Sequence, residues 1–298
     1  MKTLDVIGKS KIWLSVSGFL VVASIFCVAI FGLNWGIDFT GGTLLDVTFE
    51  NEVTVAQIKD VLSGVGVDAV VQEGSESDLI RTVTLTQEKH DEILSVFEEQ
   101  IGAFEENRFE SIGPVIGEEL KSKSVTAVVL LLILIVLYVA WAFRKVSEPI
   151  ASWKYGILTI IAGLHDVIIP VGVFAVLGHY MGYEVSATFV AALLTILGYS
   201  INDTIVIFDR TRENLVSNRH GDVPFSEIVN KSVVQSFARS INTSFTTLLV
   251  LVAIFFFGGS TTQPFVLALI IGIVSGAYSS IFVASPILVW WESKRIAK

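Results

Sequence analysis

Cysteine is nearly missing from these 298 residues: Cys27 stands alone, so no internal disulfide framework and no multi-cysteine metal site is available. Histidine is almost as scarce. The four histidines are scattered and form no HExxH-type cluster, which argues against a metalloenzyme, and no motif calls for a cofactor. Charge is thin as well. Asp, Glu, Lys and Arg supply 16% of the chain, against about 25% in a soluble globular domain, while 52% of the residues are hydrophobic. That balance argues against a purely soluble protein. The formal net charge of −9 speaks against nucleic acid as a partner, although a whole-chain sum says little when charges are segregated.

What the chain has in abundance is long apolar runs. A hydrocarbon core of ~30 Å is crossed by ~20 apolar residues. Such stretches occur at about 12–33, 124–143, 156–178, 185–208, 240–258 and 265–290, which predicts a polytopic α-helical membrane protein with six spans. The first stretch is long and lacks a small-x-small cleavage site, so it reads as a retained anchor. Lys and Arg collect in short loops on one side: Lys2, Lys9 and Lys11; Arg144, Lys145 and Lys154; Arg210, Arg212, Arg219, Lys231 and Arg239; Lys294, Arg295 and Lys298. The short loops on the other side, around 179–184 and 258–264, have none. By the positive-inside rule both termini, 1–11 and 293–298, are expected in the cytoplasm. Trp13, Trp35, Trp141, Trp153, Trp290 and Trp291 fall at span ends, where indoles prefer the headgroup level.

The single long loop, 34–122, is then extracytoplasmic and polar enough to fold in water. Its pattern predicts strands at 43–50, 67–72, 79–86 and 104–112 and helices at 53–64 and 88–101, with a turn at Glu73-Gly74-Ser75. The order βαββαβ suggests a ferredoxin-like α+β domain. It holds nineteen acidic and five basic residues, so its −14 is set against +5 for the rest of the chain. Gly113-Pro114 and Gly117 read as a hinge-like break before span two, and Gly258-Gly259 as a tight turn.

An ionisable group in the hydrocarbon region costs at least ~2.5–3.5 kcal/mol on insertion scales, so it usually faces a bundle interior and has a role. His165 and Asp166 lie near the middle of span three; Asp203 lies in span four, roughly 8 Å from its inner end at ~1.5 Å per residue. Ala191, Thr195, Gly198 and Asn202 recur at helical spacing and form a small, polar stripe suited to close helix packing. Span five opens with Arg239, followed by Ser240, Asn242, Thr243, Ser244, Thr246 and Thr247. Arg239 is the natural countercharge for Asp203. Two readings stay open: a carboxylate that alternately takes a proton and pairs with Arg239, or a static ion pair with Arg239 snorkelling to the interface. Adjacent residues on a helix point in different directions, so His165 and Asp166 are each open to a packing role. Glu184 reads as a solvated residue, the Gly272–Gly276 GxxxG in span six as a helix contact face, and 208–214 as a charged cap.

Several motifs together resemble a known family. Trp35-Gly-Ile-Asp-Phe-Thr-Gly-Gly-Thr43, Leu164-His-Asp-Val167, Gly198-Tyr-Ser-Ile-Asn-Asp-Thr204 running into Phe208-Asp-Arg-Thr-Arg-Glu-Asn214, and Phe257-Gly-Gly259 are similar, in order and topology, to the SecF proteins of bacterial protein export, within the SecD/SecF family. The resemblance implies one six-helix half of a resistance-nodulation-division type membrane fold, paired with SecD as a heterodimer in the bacterial cytoplasmic membrane. It implies association with the SecYEG channel and YajC, and use of the proton gradient to promote export of a translocating preprotein. No covalent catalysis and no cofactor are expected. By motif match Asp203 and Arg239 are the charged pair tied to proton flow, with Asn202, His165 and Asp166 as supporting polar groups. Gly36, Asp38, Gly41, Gly42, Gly198, Asp209 and Arg210 fall in family motifs. The small outer domain is expected to couple helix rearrangement to the partner's outer domain.

Three other readings compete with this one. A proton-coupled small-molecule antiporter of the same fold class would show both six-span halves in one chain, and only one is present. An intramembrane aspartyl protease would pair Asp166 with Asp203, but its usual Tyr-Asp and Gly-x-Gly-Asp settings are replaced by His-Asp and Asn-Asp. A static scaffold for the channel predicts that Asp203→Asn is silent.

Overall fold

The structure, a computed structural model, describes residues 4–74, 77–142, 151–218 and 223–296. Ser75 of the expected turn and the basic residues Lys2, Arg144, Lys145, Arg219 and Lys298 lie outside the described residues, as do the side chains of Lys294 and Arg295. Two compact units emerge: Met1–Leu33, Ala127–Tyr183 and Thr188–Lys298 form one, Asn34–Thr126 with Glu184–Ala187 the other.

The first unit is a helical bundle. Its long helices are α1 (Ser10–Phe31), α5 (Pro114–Ala142), α6 (Ser152–Met181), α7 (Ala187–Ser217) and α8 (Phe225–Phe257), followed by α9 (Gln263–Ser279), a π-helical turn at Ser280–Ala284 and α10 (Ser285–Ile296). The last three make one continuous run, so six helices are long and apolar enough to cross a membrane. Several outrun the apolar stretches seen in the sequence. α8 starts fifteen residues before 240 because 225–239 is amphipathic rather than apolar: Ile228, Val229, Ser232, Val233 and Ser236 are buried while its other face is polar. Arg239 therefore lies inside a helix, not at the start of one. α7 continues in the same way to Ser217 through the charged 208–214 segment. The inner core gathers Val6, Val139, Tyr155, Leu158, Phe208, Val233 and Ile281. The N-terminal segment is held there by Asn230, whose Oδ1 accepts from the Val6 and Ile7 amides at 2.9 and 3.2 Å.

Two prolines shape the spans. Pro170 inside α6 has no N–H for the carbonyl of Asp166 four residues before it, and Pro286 cannot donate to Phe282. The π turn lies against that second break, and the Ser285 hydroxyl donates to the Ser280 carbonyl at 3.2 Å across that turn.

The second unit holds a short helix α2 (Ile37–Thr40) and the series β1 (Gly42–Phe49), α3 (Val55–Gly64), β2 (Ala69–Glu73), β3 (Asp78–Thr82), α4 (Gln87–Gln100) and β4 (Phe104–Ile112). The sheet is antiparallel in the order β2-β3-β1-β4. α3 begins at a capping box in which Thr54 and Gln57 satisfy each other's backbone donors, and it buries Ile58 and Leu62. α4 is capped by Thr86 and buries His90, Ile93 and Phe97 at helical spacing. These meet Leu45, Val47, Val71 and Ile80 of the sheet in one core. Between Asp46 and Val47 the β1–β4 register shifts, and Asn107 at the bulge donates to Asp46 Oδ1 and Thr48 Oγ1 at 3.2 and 2.8 Å. β3 stops at Thr82, short of the expected 86. Thr84 Oγ1 instead donates to the Ile112 carbonyl, Thr43 Oγ1 takes the Leu85 amide, and Thr86 turns the chain into α4.

No hinge-like break separates β4 from α5. β4 ends at Ile112, Gly113 alone intervenes, and Pro114 opens α5, where its missing N–H is not needed. Gly117 is helical, and its small size serves contact: a Cβ there would lie 3.0 Å from the Gly41 amide nitrogen and 3.2 Å from Phe39 backbone atoms.

Candidate functional site

Three spans converge on the middle of the bundle. α6 supplies His165 and Asp166, α7 supplies Ser200, Asp203 and Thr204, and the end of α9 supplies Ser279 and then Ser280. α9 and α7 approach closely because Gly272 and Gly276 leave room. A Cβ on Gly272 would come within 2.2 Å of Ile196, and one on Gly276 within 2.9 Å of Ser200. The GxxxG is thus a helix contact face, as its spacing suggests.

Asp166 is 0% exposed and fully engaged. His165 Nδ1 lies 2.8 Å from its Oδ1, Ser279 Oγ donates to Oδ2 at 2.7 Å, and Ser200 Oγ makes a shorter bond to the same oxygen. Neighbours on one helix do meet here, because the imidazole folds back onto the next residue's carboxylate. Behind them Thr204 Oγ1 and Ser280 Oγ are 2.8 Å apart, and both hydroxyls reach the Ser200 carbonyl at 3.3 Å. The Tyr278 ring stacks over His165, with centroids 6.2 Å apart, and its hydroxyl donates to the Trp13 carbonyl at 3.0 Å.

Asp203 is placed differently. It is buried, at 4% exposure, with Oδ2 shielded from solvent and without a hydrogen-bond partner. The Arg239 guanidinium and the Ser240 hydroxyl of α8 are the charge and the dipole that reach it. Arg239 itself is exposed, and no direct ion pair closes between the two side chains. It lines a cleft of about 530 Å³ with Ile205, Asp209, Arg210, Glu213 and Ser236. Arg210 donates to Gln235 at 2.7 Å and pairs with Glu213 at 2.6 Å, so the charged cap ties α7 to α8.

The stripe Ala191, Thr195, Gly198 and Asn202, expected to pack against a neighbouring helix, is exposed, and so are Asn242, Thr243 and Thr246 on α8. Among the described residues no element covers these polar faces.

The residues Gly36, Asp38, Gly41 and Gly42 belong to the sheet unit. Gly41, at φ +72°, passes within 2.8 Å of Pro114 measured from a Cβ built on it, and Gly42, at φ +131°, equally close to the Thr82 carbonyl oxygen. Both positions need glycine for backbone angle and for space. Asp38 Oδ2 accepts the Ala187 amide at 2.7 Å.

The buried hydroxyls were not legible as a site in the sequence. Their signal was periodic: Ser232, Ser236, Ser240 and Ser244 on α8 lie four apart and are all buried, as do Ser200 and Thr204 on α7. A buried pair also went unread. Lys154 Nζ and Glu292 Oε2 are 2.8 Å apart, both under 10% exposed, with Lys154 over the Trp291 ring. Glu184, expected to be solvated, is instead mostly buried beside Arg81, and that burial pushes its carboxyl up while the guanidinium pulls it down. Among the described residues no group of three His, Cys, Asp or Glu side chains is placed to hold a metal ion.

The chain is similar to known proteins in sequence and in fold. Residues 93–294 match the family described as protein export membrane protein SecD/SecF, C-terminal, and residues 28–53 match the SecD/SecF GG motif. Protein translocase subunit SecF of Thermobaculum terrenum is 43% identical, with 98% of this chain and 95% of that one covered. The SecF subunit of Synechocystis is 40% identical over 95% and 92%. A crystal structure of SecDF, described as a translocon-associated membrane protein from Thermus thermophilus, superposes with a TM-score of 0.83 at 37% identity, covering 98% of this chain and 39% of that longer one. The chain is a multi-pass membrane protein and belongs to the SecD/SecF family of protein export membrane proteins.

Proposed function

We propose that this chain is an auxiliary subunit of the Sec protein translocase that works with SecD and uses the proton gradient to promote preprotein export through the SecYEG channel, with YajC as a further associate. One observation carries the reading: a buried carboxylate, Asp203, keeps an unpartnered oxygen within electrostatic reach of an arginine that it does not pair with. A group in that state has two accessible partners, a proton and Arg239. Taking the proton removes a charge and frees Arg239, and this biases two helix packings that differ by a few kcal/mol. The drive available is about 2.3 kcal/mol per charge per 100 mV. Asn202 lies on the polar face beside Asp203. His165 and Asp166 hold α7 from behind, and no covalent step is required.

The uncovered polar faces of α7 and α8 support a heterodimer. Asn202, Thr195, Arg239, Asn242, Thr243 and Thr246 would be costly in lipid and are suited to a second six-helix half. A protein translocase subunit SecDF of Thermus thermophilus, 39% identical over 94% of this chain, has the matched region as 37% of its length. The basic loops favour cytoplasmic termini in the cytoplasmic membrane and an extracytoplasmic domain over 34–122. That domain's element order and its strand order β2-β3-β1-β4 favour the ferredoxin-like class.

Replacing Asp203 by Asn and measuring gradient-dependent export in membrane vesicles tests the proposal. Loss of the gradient's stimulation, with gradient-independent export retained, is expected. Stimulation equal to that of the unsubstituted protein would overturn it.

A further inference from the structure

The glycine-rich segment around Asp38 has no part in the chemistry at Asp203, yet it is among the most constrained in the sheet unit. Trp35 forms a parallel bridge with Val185. The Val185 amide donates to the Asn34 carbonyl at 2.7 Å, and the Gly36 amide to the Val185 carbonyl at 2.9 Å. Gly36 permits this approach, since a Cβ there would stand 3.3 Å from Glu184 Oε2 and 3.4 Å from the Val185 oxygen. Asp38 then accepts the amide of Ala187, the first residue of α7. That N–H is one of four with no partner inside the helix, and a carboxylate is the group best suited to it, because the helix start carries partial positive charge. From the sheet, Arg81 Nε reaches Glu184 Oε1 at 2.5 Å, with both side chains 17% exposed. Arg81 is fixed in turn by the pairing of β3 with β1 and β2 and by a 3.2 Å bond to Gln72 Oε1. Residues 184–187 are thus held by two charged side chains and a strand-like bridge, all from the unit that carries the sheet.

We propose that Asp38, Arg81 and Glu184 form a coupling joint: positioning residues that hold segment 184–187, whose last residue opens α7, the helix carrying Asp203, within the unit of the sheet, so that a change in α7 is delivered to the sheet. The inference rests on the proton-driven reading above and adds to it where the motion leaves the helix. A mostly buried ion pair of this kind contributes little net stability, because desolvation offsets attraction, but losing one partner strands the other charge. The joint is separate from the proton step. Weakening it uncouples proton movement from export and leaves proton movement intact.

The test uses the full chain reconstituted with its translocase partners in proteoliposomes, recording proton flux and gradient-driven export together for Arg81→Glu, Glu184→Arg, the doubly exchanged protein and Asp203→Asn. Each single exchange is expected to lower gradient-driven export at least about fivefold, the lower end of usual site-to-site coupling, with proton flux unchanged. The double exchange restores export, which a misfolded single variant would not foretell. Export unchanged in the single exchanges, failure of the double exchange to restore it, or proton flux falling in step with export would each overturn the joint. Asp203→Asn separates the two ideas. If it loses gradient-driven export while the Arg81 and Glu184 exchanges do not, the joint alone fails; if it keeps that export, the proton-driven reading fails and the joint falls with it.

Discussion

Asp166 is 0% exposed and Asp203 4% exposed, and both lie in membrane spans, but their surroundings differ in kind. Asp166 has a partner on every side: an imidazole from its own helix and hydroxyls from α7 and α9. Asp203 has an open oxygen, a serine, and an arginine that stands on an uncovered face. Both carboxylates incur the cost of leaving water. The first recovers it in fixed hydrogen bonds and can do little else without losing them. The second leaves it partly unrecovered, which is the condition for exchanging partners. A buried acid is therefore not by itself a sign of proton movement; the number of its bonds left unmade is the more informative quantity.

Truncating each acid in turn is expected to give the largest difference between them. Asp166→Ala orphans three buried donors and is expected to destabilise the bundle by about 3–5 kcal/mol, the usual cost of breaking a buried charged network. Asp203→Ala removes a group that is poorly satisfied, so its unfolding midpoint should stay near that of the parent while gradient-driven export is lost. Denaturant unfolding of the detergent-solubilised chain, followed by tryptophan fluorescence, measures both. Equal destabilisation by the two truncations would erase the distinction.

A smaller effect sharpens it. Ser279→Ala withdraws one hydroxyl from Asp166 Oδ2 and is expected to cost about 1.5–3 kcal/mol, the range for a hydrogen bond to a charged group. Ser240→Ala, the corresponding change beside Asp203, removes a buried hydroxyl that closes no hydrogen bond among the described residues, so it is expected to cost less than the ~0.5 kcal/mol at the low end for a hydrogen bond. The same unfolding assay decides, and a large loss at Ser240 would mean that Asp203 is held as firmly as Asp166.

How far this contrast could be read from sequence depends on what carries it. The spans were legible because apolar length is a property of composition alone, and Asp166 and Asp203 were visible as charges within them. The strands and helices of the loop domain followed from period and caps, Thr54 and Thr86 marking two helix starts. The amphipathic extensions of α7 and α8 are not legible from apolar length, because an unbroken apolar run ends at the first charged turn; by that pattern Arg239 falls at the start of its span rather than inside a helix. Partners were illegible for a different reason. Nothing local to Asp166 says that Ser200 and Ser279, 34 and 113 residues away, will meet it. Nor does the small polar stripe on α7 say which of its sides the chain itself will cover. Glu184 was read as solvated for want of Arg81, more than a hundred positions earlier.

The least effect is expected where the Asp166 region thins out, at Tyr278. Its ring lies over His165, its hydroxyl donates to the Trp13 carbonyl, and Ser17 Oγ donates to the Tyr278 hydroxyl at 3.4 Å, which brings α1 into the network already joining α6, α7 and α9. Tyr278→Phe keeps the ring and removes only the hydroxyl, so it is expected to cost about 0.5–1.5 kcal/mol, the net worth of an ordinary hydrogen bond. Its coupling to Asp166→Asn tells more than its size. If the network reaches α1 through the stacked His165, the two losses fall short of adding by more than about 0.5 kcal/mol, as they do for residues in one network. Strict additivity would confine the anchor to the three helices whose side chains touch Asp166, and α1 would be held to the bundle by packing alone.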